Sequence, residues 1–266
     1  MMNSQIAEGS VAHEANTYCL ELKNVSKHFG GIKAVSNVSV QIKPGERLAI
    51  LGPNGAGKTT LFNMISGEFA PTTGKIILFG QDVTGMPSNK LVNLGLARTF
   101  QITTLFPNES VVENIILALM GTKRGSKFSL FSSLRNKTQL FERADELVSQ
   151  LGLKECKNEL IKNLPYGNQR LVEITLALAS NPRIICLDEP NAGLSNAESR
   201  IIIDTINNKI DRSITILIIE HDMDLVFEVA DRIMVLNNGV EVATDTKENI
   251  RANKHVQEVY LGEAEK

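Results

Sequence analysis

Residues Gly52, Pro53, Asn54, Gly55, Ala56, Gly57, Lys58 and Thr59 satisfy the spacing GxxxxGK[ST], which wraps main-chain N–H groups around phosphate oxygens. The glycines let the loop bend so that successive N–H groups point inward, and a helix beginning at Lys58 brings positive potential to the same place. Lys58 adds a full charge. The Thr59 hydroxyl is the type of ligand that holds Mg²⁺, and Thr60 follows as a donor to the α-phosphate of a nucleotide. The competing reading is a glycine-rich turn that binds nothing, and a second, acidic element elsewhere in the chain argues against it.

That element is Asp188-Glu189, placed directly after the apolar run Ile184–Leu187. A strand of this kind delivers both carboxylates to its carboxyl end, where ligands of open α/β sheets bind. Asp188 is expected to hold Mg²⁺ through water. Glu189, one residue farther on, is suited to take the proton of the water that attacks a γ-phosphate. The alternative for Glu189 is a solvated charge after a strand.

The elements that must position these groups are legible as patterns. Arg47–Leu51 is a near-continuous apolar strand, followed by the glycine loop and a helical stretch from Lys58 to Ser66. Upstream, alternation from Tyr18 toward Val25 and again over Val38–Ile42 predicts an antiparallel β subdomain. Lys75–Phe79 reads as an edge-like strand. From about Thr103 to Asn163 the character is helical, with patterns at Ser110–Met120 and Leu140–Leu151. The β/α alternation resumes with Ile184–Leu187, a helix from Ala197, the strand Ile214–Ile219, a helix from Met223 and the strand Arg232–Leu236. The fold class is therefore α/β, a P-loop NTPase core with an antiparallel β subdomain and an inserted helical lobe. The expected boundaries are a disordered tail at 1–16, one domain at 17–262 and a tail at 263–266. Within the domain, 17–102 and 164–246 form the core, 103–163 the lobe and 247–262 a C-terminal helical segment.

Composition narrows the class further. The 266 residues are 42% hydrophobic and 22% charged with a formal net charge of -2, which gives no hint of nucleic-acid binding. Apolar runs such as Ile115–Met120 fall short of the roughly 18 residues of a membrane-spanning helix, and no secretory signal precedes them. A cytoplasmic location is expected. Cys19, Cys156 and Cys186 lack metal-ligand spacing and read as structural thiols. Gly121–Lys127, rich in Gly, Lys and Ser, reads as an exposed loop.

These elements, in this order, resemble the ABC ATPase family over nearly the whole chain from Tyr18 to Gly262. The resemblance implies ATP hydrolysis with Mg²⁺. By it, Gln101 in Arg98-Thr-Phe-Gln101 looks like the glutamine that senses Mg²⁺ and the γ-phosphate while linking core to lobe. His221 looks like the switch histidine that grips the γ-phosphate. Phe29 is similar to the aromatic that stacks on adenine, with Val35 as a neighbouring apolar contact. Leu164, Pro165, Tyr166, Gly167 and Asn168 stand where the family carries its Leu-Ser-Gly-Gly-Gln signature. Pro165 removes both the serine hydroxyl and an N–H, so Gly167, Asn168 and the following helix N-terminus are left as donors to a partner's γ-phosphate. Ser195 likewise stands where many relatives carry aspartate.

The run Asn163–Gly167, the run Glu220–Asp224, Leu105-Phe-Pro107 and the ending Val259–Gly262 together look like the LivG type of branched-chain amino-acid importer ATPase. Leu171 and Leu176 depart from the arginines usual in that group. The resemblance implies a second homologous ATPase, in a heterodimer rather than a homodimer, so that each chain offers its signature to the other's ATP. It also implies two transmembrane permease subunits, indirect coupling to a periplasmic or extracellular substrate-binding protein, and attachment to the inner face of the cell membrane. Related ATPases serve urea, amide and lipopolysaccharide systems, and a soluble non-transport ABC ATPase is a further alternative. A GTPase is disfavoured, because the guanine-reading spelling Asn208-Lys-Ile-Asp211 falls in a helical run and its end instead of after a strand.

Overall fold

The computed structural model describes residues 17–99, 105–122 and 134–258. Strand β1 (Leu20–Phe29) pairs antiparallel with β2 (Ile32–Ile42) on one side and with β4 (Thr73–Leu78) on the other, and β5 (Gln81–Asp82) closes the sheet. The expected edge strand at Lys75–Phe79 is thus an inner one: two residues of β5 pair with its free side, Ile77 to Asp82 and Leu78 to Gln81.

The second sheet has the order β10-β9-β3-β8-β7-β6, formed by β3 (Arg47–Leu51), β6 (Leu96–Arg98), β7 (Ile184–Asp188), β8 (Thr215–Ile219), β9 (Arg232–Asn237) and β10 (Val240–Thr246). All its pairings are parallel except β10 with β9. Every residue of β3, β7 and β8 is buried, as strands covered on both faces must be. Successive side chains go to opposite faces. Ile184 and Cys186 join the cluster under the antiparallel sheet and α1 (Lys58–Ile65), while Ile185 and Leu187 face the helices. Each such aliphatic side chain contributes roughly 1.5–3 kcal/mol by leaving water.

The helical lobe contains α3 (Val111–Thr122) and α4 (Leu134–Leu151), and α5 (Tyr166–Leu178) joins their apolar faces to β7 in one continuous core. Helix α3 begins with a reciprocal cap in which the Glu113 carboxylate accepts from the Ser110 N–H at 2.7 Å and Ser110 Oγ accepts from the Glu113 N–H at 3.3 Å. Short elements that carry little periodicity escaped sequence reading: α2 (Ser88–Asn93), β6 and β10. Helix α6 (Asn196–Asp204) runs into a π-helical turn, Thr205–Lys209, before β8. The Asn208–Asp211 spelling lies in this turn and just beyond it, not at the carboxyl end of a strand. Helices α7 (Met223–Val229) and α8 (Lys247–Ala252) follow β8 and β10.

Arg47, at the start of β3, is only 1% exposed. Its guanidinium donates to Asn207 Oδ1 at 2.7 Å and to the Ile206 carbonyl at 2.6 Å, while its main-chain N–H donates to Asp231 at 2.9 Å. The root of β3 is thereby fastened to the π turn. Cys19, Cys156 and Cys186 are free thiols, and burial pushes Cys186 up to about 12.

Candidate nucleotide-binding site

Strand register sets the site. Ile219 of β8 pairs with Ile50 of β3 and with Asp188 of β7, so three adjacent parallel strands end at one level. The chain leaves them as the glycine loop, as Glu189 and as Glu220-His221.

Between β3 and α1 the loop closes on the sheet so tightly that a Cβ at Gly52 would collide with the Leu236 carbonyl. One at Gly57, where φ is +98°, would lie 2.5 Å from the Ala34 carbonyl. Gly57 precedes α1 and has no side chain with which to cap it, and the first turn of α1 holds no acidic residue. The first N–H groups of a helix have no intrahelical partners, so this end favours an anion. A cleft of about 450 Å³ lies here, walled by Ile32, Ala34, Asn54, Gly55, Lys58, Thr59, Thr60, Glu189 and Asn238. Lys58 is 6% exposed, and its ammonium donates to the Gly52 carbonyl at 2.5 Å and the Pro53 carbonyl at 2.9 Å. The loop thus holds the charge at its own rim.

Asp188 is buried at the end of β7, with one carboxylate oxygen 2.7 Å from an Arg98 guanidinium nitrogen. Burial pushes its pKa up, and Arg98 opposes that. Its other oxygen, Oδ1, is buried without a hydrogen-bond partner. An orphaned carboxylate oxygen of this kind fits a water held by Mg²⁺, with Thr59 in the wall of the cleft as a candidate hydroxyl ligand, and such an ion would neutralise phosphate charge. No cluster of three or more His, Cys, Asp or Glu suited to a metal occurs among the described residues. Mg²⁺ bound chiefly by phosphate and water needs no such cluster.

Glu189 adopts φ +44°, in the left-handed region, and its main-chain N–H donates to the Ile219 carbonyl at 3.0 Å. Such backbone strain in a non-glycine residue collects at functional sites. His221 Nδ1 lies 4.0 Å from Glu189 Oε1. Beneath them, Glu220 is fully buried. It accepts from the Asn191 N–H at 3.0 Å and from the His221 N–H at 3.1 Å, which ties the loop after β7 to the loop after β8. Burial drives its pKa up despite these bonds. Sequence reading treated Glu220 only as part of a family-like run. The missed signal was a carboxylate directly after the apolar run Ile216–Ile219, where water does not reach.

Arg98 was likewise missed as a partner of Asp188, although β6 pairs with β7 with Arg98 opposite Cys186. Gln101 lies outside the described residues, as do the tails at 1–16 and 263–266, the run Val259–Gly262 and most of Gly121–Lys127. Phe29 is half-exposed at the end of β1, edge-on to Phe69 at 5.6 Å, and stands outside the walls of the cleft. Val35 requires a correction. It is 0% exposed because β2 turns it inward against the core, so it presents no surface to a base; Ile32 and Ala34 line the cleft instead.

The signature residues do not line this cleft. Leu164 is buried, Pro165 is the N-cap of α5, and the Tyr166 hydroxyl accepts from Arg170 at 2.8 Å. Two donors expected to await a partner's phosphate are engaged within the chain. The Gly167 N–H donates to Glu198 at 2.9 Å and the Asn168 N–H to the Pro165 carbonyl at 3.1 Å.

Comparison with known proteins agrees with this geometry. Residues 35–192 match the family model "ABC transporter". The chain is 40% identical over 253 residues to the high-affinity branched-chain amino acid transport ATP-binding protein LivG of Escherichia coli (strain K12), covering 92% of this chain and 98% of that protein. The crystal structure of an ATP-binding cassette of an ABC transporter in its ADP conformation superposes with a TM-score of 0.80 at 30% identity, covering 92% of this chain and 99% of that one. A dimeric cassette in a post-hydrolysis state, bound to ADP and Pi, gives a TM-score of 0.69 at 26% identity, over 85% and 98% of the two chains. The chain belongs to the ABC transporter family of ATP-binding cassettes, and its chemistry is that of an ATPase. Cassettes of this family dimerise and work with permease subunits.

Proposed function

We propose that this chain is the ATP-hydrolysing subunit of an importer for branched-chain amino acids. The observation that supports it is the likeness to LivG over nearly the full length of both chains. In this reading Gly52, Pro53, Asn54, Gly55, Ala56, Gly57, Lys58, Thr59 and Thr60 hold the phosphates of ATP, and Phe29 meets the adenine. Thr59, Gln101 and, through water, Asp188 hold Mg²⁺. Glu189 takes the proton of the attacking water, while His221 and Gln101 respond to the γ-phosphate. A homologous ATPase supplies the second half of a nucleotide sandwich through its own signature. Closing and reopening that sandwich moves the helical lobes and, with them, two permease subunits at the inner face of the membrane. A substrate-binding protein outside the membrane is coupled indirectly.

A second cavity of about 450 Å³ supports the permease contact. It opens between β6 and the lobe, walled by Val92, Leu96, Ala97, Leu117 and Ala118, with Phe106 55% exposed at its margin. Among the described residues no helix is long and apolar enough to cross a membrane, so transport requires such partners.

The test is uptake of labelled leucine by cells lacking this chain. Wild type is expected to restore it, and Lys58→Ala, which removes charge from the phosphate site, is expected not to. Leucine uptake unaffected by the deletion, with loss of urea or amide uptake, would overturn the assignment.

A further inference from the structure

We propose that Glu198 is a positioning residue that latches the signature segment, holding the Gly167 N–H until the γ-phosphate of a partner's nucleotide displaces it. This rests on the nucleotide-sandwich reading above.

The geometry is that of one carboxylate spanning two helix starts. Glu198 Oε2 accepts from the Ser195 N–H at 3.0 Å and from the Ser195 hydroxyl at 2.7 Å, forming the cap of α6. Glu198 Oε1 reaches across to accept from the Gly167 N–H at 2.9 Å, in the first turn of α5. The approach is close: a Cβ at Gly167 would lie 2.8 Å from Glu198 Cγ and 3.0 Å from its Cβ. The absence of a side chain at Gly167 is therefore required by Glu198 even before any nucleotide arrives. Gly193 also approaches Tyr166 closely, since a Cβ there would lie 3.3 Å from its ring. The start of α6 is thus fastened to the start of α5, with the loop after β7 packed close beside them.

A carboxylate and a phosphate seek the same thing at a helix start, an N–H group at the positive end of the helix. The two anions cannot share one N–H, and each repels the other. Pro165 offers neither N–H nor hydroxyl as a substitute, which leaves Gly167 as the contested donor. Glu198 stands in for the phosphate in the separate chain and must release it as the sandwich closes.

The experiment measures ATP-dependent association of the purified chain with its partner ATPase, a second copy or a homologue, by sedimentation in the Glu189→Gln background. Glu198→Ala is expected to tighten association about three- to tenfold, the weight of one hydrogen bond. Glu198→Gln is expected to give an intermediate gain. ATP affinity of the separate chain should not change, because Glu198 is not part of the cleft. Ser195→Ala, which weakens the cap but leaves the carboxylate on Gly167, is expected to give no gain. Amide hydrogen exchange at Gly167 in the nucleotide-free chain should accelerate in Glu198→Ala. Association that occurs in the parent but is unchanged or weaker in Glu198→Ala overturns the latch alone, as does an equal gain from Ser195→Ala. No ATP-dependent association in the parent overturns the sandwich reading and the latch with it.

Discussion

The Arg98 guanidinium meets the Asp188 carboxylate at 2.7 Å, with side-chain exposures of 9% and 0%. Arg98 also donates to Asn63 Oδ1 and Ser66 Oγ, each at 2.7 Å, and its guanidinium lies 4.8 Å from the centre of the Phe62 ring. One cation thus joins β6, β7 and α1 beneath the phosphate site. Its charge favours the ionised form of Asp188, against the burial that favours the neutral acid.

Arg98→Ala is expected to cost about 3–5 kcal/mol of stability, because it strands a buried carboxylate. The double variant Arg98→Ala/Asp188→Ala should recover part of that loss, since no charge is left unpaired. Urea unfolding of both variants measures this. A double variant no more stable than Arg98→Ala would show that the pairing with Asp188 is not what Arg98 provides.

Glu189→Gln is expected to keep ATP binding while turnover in the assembled transporter falls about 100- to 10,000-fold, the usual weight of a general base. The amide preserves shape and removes basicity. Near-wild-type steady-state hydrolysis would exclude Glu189 from that role.

The buried Glu220 predicts a pH dependence of folding. Its pKa in the fold is raised by burial, so the folded chain binds more protons than the unfolded one between the ordinary carboxylate range and the raised value. Its contribution to stability is present below that window and is lost as pH rises through it. Asp188 and Glu173 are raised for the same reason and add to the trend. Glu220→Gln is expected to flatten this fall, and denaturant unfolding from pH 4.5 to 8 (about the relevant span) checks it. An unaltered pH profile would mean that Glu220 does not titrate there.

Pro165→Ser is expected to leave thermal stability unchanged or slightly raised. Pro165 occupies the N-cap of α5 with φ -52° and ψ 150°, so serine can accept from a first-turn N–H, worth about 0.5–2 kcal/mol. Loss of proline's rigidity costs about 0.4–1 kcal/mol in return. A hydroxyl turned back on its own helix should alter ATP-dependent association less than twofold, roughly 0.4 kcal/mol. Tighter association with a lower melting temperature would show that it faces the partner.

The phosphate loop was legible because its chemistry is local: strand, turn and helix are contiguous from Arg47 to Ile65, and each glycine serves its own stretch of backbone. Asp188 and Glu189 were legible because an apolar strand precedes them. The contacts that make those residues work were not. Arg98 finds Asp188, and Glu198 finds Gly167, only through strand register and helix packing, which join residues 90 and 31 positions apart. Val35 misled because an apolar residue beside a possible base contact looks like one, whereas β2 spends it on the core. Strand β6 has three residues and no pattern of its own; it is held in place by pairing with β7.

The buried Arg47 has a mechanical consequence. Its guanidinium grips Ile206 and Asn207 in the π turn that continues α6, and its own main-chain N–H is held by Asp231, so that end of the helix is pinned to the base of the sheet. The other end of α6, at Ser195 and Glu198, is fastened to Gly167. Helix α6 is therefore a strut between the base of the sheet, at Arg47, and the start of α5, at Gly167.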